Sequence, residues 1–198
     1  MTTVSVGATE TIDSGVTARS TSRAHVLPAN VAWRVWVTKH PVGGALISGF
    51  VATHIATVFG LWFHGIGLPN LNWPVANGAV VDPTGSIPVQ FALGEFIHGI
   101  DGLVFTLIFA LFLFPLFKWG NSSGANMAKA LVFSAVLATV SAGFLVPYVY
   151  DPKFGAGIFS SGFGWKTVFA IYLWHLIFGV NLGTMYNPLP LDDPLLTQ

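Results

Sequence analysis

Four long apolar segments constrain this sequence more than any other feature. Each contains about twenty mostly apolar residues, the length that an α-helix needs to cross the hydrocarbon core of a bilayer. The segments are residues 42–63, 91–117, 127–149 and 167–186. They do not alternate between polar and apolar positions, as the strands of a membrane β-barrel would. The sequence therefore predicts an all-α integral membrane protein with four transmembrane helices in a bundle.

The scarcity of charge excludes a soluble domain. Only 8% of the 198 residues are charged and 53% are hydrophobic, whereas about a quarter of the residues of a soluble domain are charged. The formal net charge is zero and no basic face stands out, so the expected partner is the lipid bilayer and not nucleic acid. The chain has no cysteine, which excludes disulfides, thiolate metal ligands and iron–sulfur clusters.

Polarity divides the chain into three parts. They are an N-terminal polar part, a transmembrane domain and a C-terminal tail, at residues 1–41, 42–186 and 187–198. The connection at residues 64–90 is too apolar for a free linker, so we expect an ordered outer loop. Residues 1–30 lack an apolar core behind a basic start, so no cleavable signal peptide is predicted.

A short interfacial helix is predicted before the first span. Trp33 and Trp36 lie close together beside Arg34, which is typical of a helix at the boundary between lipid and water. Pro41 separates this helix from the first transmembrane segment.

The distribution of Lys and Arg predicts the orientation of the chain. Six basic residues lie on the side of the termini: Arg19, Arg23, Arg34, Lys39, Lys118 and Lys129. Only Lys153 and Lys166 lie on the other side. Because cytoplasmic loops carry the excess of Lys and Arg, we expect both termini in the cytoplasm and the protein in the inner, cytoplasmic membrane of a cell.

Small residues recur at every fourth position in the spans. In the first and third spans the rows are Gly44, Ser48, Ala52, Ala56, Gly60 and Ala130, Ser134, Ala138, Ala142. In the second and fourth spans a histidine stands in the row, giving Gly94, His98, Gly102 and His175, Gly179, Gly183. Such rows let two helix backbones approach closely, so we expect close helix contacts inside the chain or against a partner.

Three histidines and two carboxylates are predicted to form one polar layer in the outer half of the bundle. His54, His98 and His175 each lie roughly seven to nine residues from the outer end of their span, so their depths agree within about one helical turn. Glu95 and Asp101 lie one turn to either side of His98. His98 is the strongest ligand candidate, because it stands in a small-residue row with a carboxylate on each side.

Two interpretations of this layer follow from the residue types. Imidazoles with a carboxylate can bind copper, iron or zinc, and two histidines on facing helices can be the axial ligands of a b-type haem. Alternatively, the same groups form a hydrogen-bonded layer that fixes the register of the helices. A di-iron site is disfavoured, because the Glu95-x-x-His98 spacing occurs once and such bundles repeat it. Trp174 points about 100° away from His175 on the helix, and no role is predicted for it.

No catalytic motif accompanies the polar layer, because a phosphate-binding loop, a nucleophile elbow and a His-Glu-x-x-His sequence are all absent. The leading expectation is an accessory, non-catalytic subunit of a larger membrane complex of the redox or energy-converting type, with other membrane-protein subunits as partners. The alternative is a membrane oxidoreductase component that itself binds a metal ion or a b-type haem through the layer. A channel or transporter subunit is a weaker third class, because residues 107–117 offer no polar path.

Overall fold

The structure is a computed structural model that describes residues 27–150 and 156–197. Within these ranges the chain is helical and contains no strand. Four helices are long and apolar enough to cross a membrane, at Pro41–Ile66, Ile87–Leu116, Ser123–Tyr150 and Trp165–Met185. The predicted all-α fold with four transmembrane helices is therefore confirmed. Residues 1–26, on which most of the predicted N-terminal tail falls, lie outside the described residues.

Six α-helices follow one another along the described chain. They are α1 (Ala29–Lys39), α2 (Pro41–Trp62), α3 (Trp73–Val81), α4 (Ile87–Ile108), α5 (Ser123–Val140) and α6 (Trp165–Met185). The second, third and fourth begin with a proline in their first turn, where the missing N–H costs no hydrogen bond. The side chain of Asn72 also accepts a hydrogen bond from the backbone N–H of Val75 and so caps α3. We call the end of the bundle that carries α3 the outer end.

Both ends of the described chain meet at the other end of the bundle. Trp33 of α1 donates a hydrogen bond from Nε1 to the carbonyl of Met185, at 2.7 Å. Arg34 donates from Nε to the carbonyl of Asn187 at 3.0 Å, and the backbone N–H of Leu189 donates to the hydroxyl of Thr38 at 2.8 Å. The C-terminal tail is therefore held against α1 by this chain itself, and it ends in a single 3₁₀ turn, Pro194–Leu196.

The rows of small residues lie at helix contacts inside the chain. The whole predicted row of α2 is buried, and this helix packs against both α4 and α6. Gly49 lies so close to α4 that an added Cβ would be 2.9 Å from Cβ of Thr106. Gly179 lies in the same way against α5, where an added Cβ would be 2.8 Å from Cβ of Ser134. The close contacts that these rows permit are thus made within one protomer.

The tightest contact joins α3 to α4. Gly78 lies against the backbone of Gln90, and Gly94 lies against the carbonyl of Pro74. Side chains at either glycine would separate the two backbones, so only glycine permits this approach. The contact places α3 as a cap over the outer end of α4 and brings Trp73 into the core, where it is buried.

Two spans change from α-helix to π-helix in their second half. The span that starts with α5 continues as a π-helix over Ser141–Tyr150, with Pro147 inside it. The span that starts with α4 has a π-helical turn at Phe109–Leu113, followed by a 3₁₀ turn that contains Pro115. A wider turn accommodates a proline, which has no N–H to donate and whose ring displaces the preceding carbonyl. The π-helix also changes which side chains face the centre of the bundle, and π-helical segments are frequent at functional sites.

Candidate functional site

The five predicted site residues fall into two separate groups. His98, Asp101 and His175 line one cavity of about 60 Å³ between the transmembrane helices, which we call the inner cavity. His54 and Glu95 do not line it. They contact each other, with 3.2 Å between Nε2 of His54 and Oε1 of Glu95. The residues predicted to form a single layer are therefore divided between a cavity among the helices and a neighbouring pair at the surface of the bundle.

The hydrogen bonds of His98 define its tautomer. Its Nε2 lies 3.1 Å from the hydroxyl of Thr57, and that hydroxyl already donates its proton to the carbonyl of Thr53, at 2.8 Å. The hydroxyl of Thr57 must therefore accept a proton from Nε2 of His98. In the neutral imidazole this leaves Nδ1 as a free acceptor.

His175 is fixed in the opposite tautomer. Its Nδ1 lies 2.8 Å from the carbonyl of Ile171, and a carbonyl can only accept. Nδ1 therefore carries the proton, and in the neutral imidazole Nε2 is the acceptor. The two imidazoles of the inner cavity thus each retain one nitrogen lone pair.

His54 and Glu95 face each other within hydrogen-bonding distance. Nδ1 of His54 donates to the carbonyl of Phe50 at 2.7 Å, so the other ring nitrogen faces Glu95. A hydrogen bond between the two side chains requires one proton, carried either by His54 as an imidazolium or by Glu95 as a carboxylic acid. The side chains are 35% and 32% exposed, so the pair lies at the surface of the bundle.

Aromatic residues that were not predicted as site residues form much of the wall of the inner cavity. Trp174 lies between the two histidines, with ring centroids 5.5 Å from His98 and 4.9 Å from His175. The prediction that Trp174 points away from the site is wrong, because its side chain lines the inner cavity. The reason is that α6 has neighbours on two sides, and Gly60 of α2 leaves room for the indole. Trp73 of α3 also lines the cavity, with its ring 6.3 Å from that of Trp174.

Trp73 and Tyr150 separate the inner cavity from a larger opening. Both residues also line a pocket of about 490 Å³, which we call the outer pocket and which lies beside α3 and the segment that precedes it. Their rings are 5.7 Å apart, and the hydroxyl of Tyr150 donates to Oδ1 of Asn77 at 3.3 Å. Tyr150 is the last residue of the π-helix, which directs it into the wall.

Several buried polar atoms at the inner cavity have no hydrogen-bond partner among the described residues. They are Oγ1 of Thr53 and the indole Nε1 atoms of Trp73 and Trp174. An unpaired buried donor or acceptor costs roughly 1–3 kcal/mol, so such groups are uncommon in a well-packed core. These three atoms are enclosed by the protein and do not face the cavity, so they do not select its occupant.

The fit to a metal ion or haem is weak in this arrangement. No three His, Asp or Glu side chains of residues 27–150 and 156–197 converge closely enough to hold a metal ion. A cavity of about 60 Å³ holds a few water-sized atoms, and a haem needs many times that space. The metal or haem site therefore stays a prediction.

Comparison with known proteins gives no relative from which a function could be transferred. The chain matches no known protein family, no curated protein and no solved structure.

Proposed function

We propose that this chain is an accessory subunit of a larger membrane complex of the redox or energy-converting type. The observation that carries the proposal is the His54–Glu95 pair at the surface of the transmembrane helices. His54 lies in the middle of the span Pro41–Ile66, and both side chains are about one-third exposed. A second protein covering this face would keep the pair out of contact with lipid.

The cost of exposing such a pair to hydrocarbon supports a protein neighbour. Ionisable side chains near the centre of a membrane helix cost roughly 2.5–3.5 kcal/mol on insertion scales. In addition, Oε2 of Glu95 has no hydrogen-bond partner among the described residues. That oxygen is enclosed by the protein, but the exposed part of the pair could form hydrogen bonds with a neighbouring subunit, whereas lipid tails could supply none.

The contact between His54 and Glu95 within the membrane-spanning region supports the redox or energy-converting type of complex. Intramembrane histidine and carboxylate residues are the usual members of proton relays in pumps and transporters. In the other half of the described bundle, Phe109, Phe114 and Phe133 pack together and are buried, so much of the core there is apolar. A relay through this pair would therefore continue into a partner and not through this protomer alone.

The proposal includes an orientation of the chain in the membrane. Both ends of the described chain meet at one end of the bundle, where Arg34, Lys118 and Lys129 also lie. Together with the excess of Lys and Arg in cytoplasmic loops, this supports cytoplasmic termini in the inner membrane of a cell.

Cross-linking in native membranes tests the partner. The chain has no cysteine, so a single introduced cysteine is unique. Phe50→Cys places it beside His54, since the two rings are 4.1 Å apart, and Val136→Cys on α5 is the control because both positions are 55% exposed. We expect a photoactivatable cross-linker at position 50 to give one heavier adduct, whose yield falls when His54 and Glu95 are both changed to leucine.

Three results would contradict the proposal. Position 50 could react only with lipid, it could give the same adducts as position 136, or its adduct could have twice the mass of the chain. The last result would show a homodimer and not an accessory subunit.

A second proposal assigns a redox role to the chain itself, as a membrane oxidoreductase component that binds copper, iron, zinc or a b-type haem. The observation that favours it is that His98, His175 and Asp101 line one cavity and that both imidazoles retain a lone pair. This proposal predicts stoichiometric metal by elemental analysis, or a Soret band, in the purified protein. The signal should disappear when His54, His98 and His175 are all changed to alanine, and its persistence in that variant would place the metal elsewhere.

A further inference from the structure

We propose that the inner cavity binds a small organic ammonium ion, with Asp101 as its counter-ion. The inference rests on the cavity alone and not on membership in a larger complex, so the two proposals can fail separately. The ammonium ion and the metal ion of the second proposal are alternative occupants, because both proposals concern the same cavity.

Asp101 supplies the negative charge. Its side chain lines the inner cavity, which is lined by no lysine or arginine. Among the described residues it has neither an ion pair nor a hydrogen bond within the standard distances. A carboxylate within a transmembrane helix needs a partner of opposite charge or a proton, and a bound cation would provide the first.

The two histidines supply acceptors and not donors. The tautomers fixed by Thr57 and by the carbonyl of Ile171 leave Nδ1 of His98 and Nε2 of His175 without a proton. Together with Asp101, the cavity therefore offers acceptors of hydrogen bonds from more than one helix. An ammonium group, which has only donors, matches these acceptors, and the unpaired indole N–H groups of the wall are enclosed by protein and do not face the cavity.

The aromatic wall favours an organic cation. Trp73, Tyr150 and Trp174 line the cavity together with Phe105 and Phe178, and the rings of Trp174 and Phe178 are nearly parallel, 6.0 Å apart. Aromatic faces attract cations through the ring quadrupole, and such cages are a known means of recognising methylated ammonium groups. A hydrated inorganic cation prefers oxygen ligands, of which this cavity has few.

The spacing of the acceptors favours hydrogen bonds over metal bonds. Ligand atoms of zinc lie roughly 2.0–2.3 Å from the metal, and no group of three described residues converges to that extent. Hydrogen bonds from a charged donor span roughly 2.7–2.9 Å and allow a wider ring of acceptors. A cavity of about 60 Å³ limits the ligand to a few non-hydrogen atoms.

The ligand would enter from the outer end and stay on that side. Trp73 and Tyr150 belong to the walls of both the outer pocket and the inner cavity, so movement of these two rings would connect them. Beyond the cavity the core is filled by Phe109 and Phe133, whose rings stack at 4.9 Å. The geometry is that of a binding site closed at its inner end and not of a pore.

Calorimetric titration of the full-length protein in lipid nanodiscs tests the proposal. The probes are methylammonium and tetramethylammonium chloride, each matched with a neutral molecule of similar size, methanol and tert-butanol, at constant ionic strength. We expect saturable binding of at least one ammonium ion and none of its neutral counterpart. This comparison needs no variant, so a folding defect cannot obscure it.

Two matched substitutions on α4 locate the site. Asp101→Asn preserves shape but removes the charge, and we expect it to weaken binding at least tenfold. Glu95→Gln removes a carboxylate from the same helix that does not line the cavity, and binding should remain within twofold of the unmodified protein. Equal binding by the Asp101→Asn variant, equal binding of the neutral molecules, or no saturation at tens of millimolar would each overturn the proposal.

A third variant tests whether the chain supplies its own cation. Lys153 belongs to residues 151–155, which lie outside the described residues and follow Tyr150 directly. Ammonium binding should be unchanged in Lys153→Ala. Binding that appears only in this variant would show that the lysine is the natural partner of Asp101 and would overturn the proposal.

Discussion

Replacing Gly94 by alanine is expected to lower the free energy of unfolding by about 3 kcal/mol or more, because overpacking of a rigid contact typically costs 1–3 kcal/mol. An added Cβ would collide with the carbonyl oxygen of Pro74 and would lie 2.5 Å from the backbone nitrogen of Gly78. Both are backbone atoms of α3, so no side-chain rotation can relieve the collision. The cap must move away from α4, and Trp73, which α3 carries into the core, must move with it.

Gly99 on the same helix provides the control. An added Cβ there would have only Cε1 of His54 within reach, at 3.9 Å, an ordinary van der Waals distance. Gly99→Ala should therefore be neutral or stabilise by up to about 1 kcal/mol, the difference in helix propensity. Thermal unfolding of both purified variants measures the difference, and equal midpoints would show that α3 does not pack on α4 as described.

The spans could be predicted from the sequence because length and hydropathy alone decide them. The expected segment 42–63 corresponds to Pro41–Ile66, and 127–149 corresponds to Ser123–Tyr150. No detail of packing enters such a prediction, since any helix that crosses lipid must be about this long and this apolar.

The division of the site residues into a cavity group and a surface pair could be predicted from the sequence only in part. His98 and His175 stand in small-residue rows, and both line the inner cavity. His54 stands two residues after Ala52 in the row of α2, which places it about 200° away around the helix. Depth in the membrane places His54 with His98 and His175, whereas this angle indicates that His54 faces away from the buried side of α2.

The aromatic wall could not be predicted because it depends on long-range packing. Trp73 comes from the outer connection, and nothing in the local sequence tells that α3 folds back onto α4 through Gly78 and Gly94. Tyr150 reaches the wall through a π-helix of ten residues, and neither hydropathy nor the presence of Pro147 predicts how far such a helix turns its side chains.

Replacing Trp174 by alanine is expected to cost about 3–5 kcal/mol of stability, the usual range for loss of a buried tryptophan. The indole is only 5% exposed, lies parallel to Phe178 and contacts Trp73 edge-on. It also fills the space that Gly60 leaves in α2. Its removal would leave a void between three helices that the surrounding backbone cannot close.

Trp62→Ala is the matched control, because Trp62 is 77% exposed and its loss should change the unfolding midpoint little. Free indole gives a second measurement. An apolar void left by a deleted side chain can bind a small aromatic molecule, and a ligand that binds only the folded state raises stability by mass action. We therefore expect indole to raise the unfolding midpoint of the Trp174→Ala protein but not that of the Trp62→Ala protein. Equal midpoints of the two variants, or equal shifts with indole, would show that Trp174 is not enclosed between α2, α3 and α6.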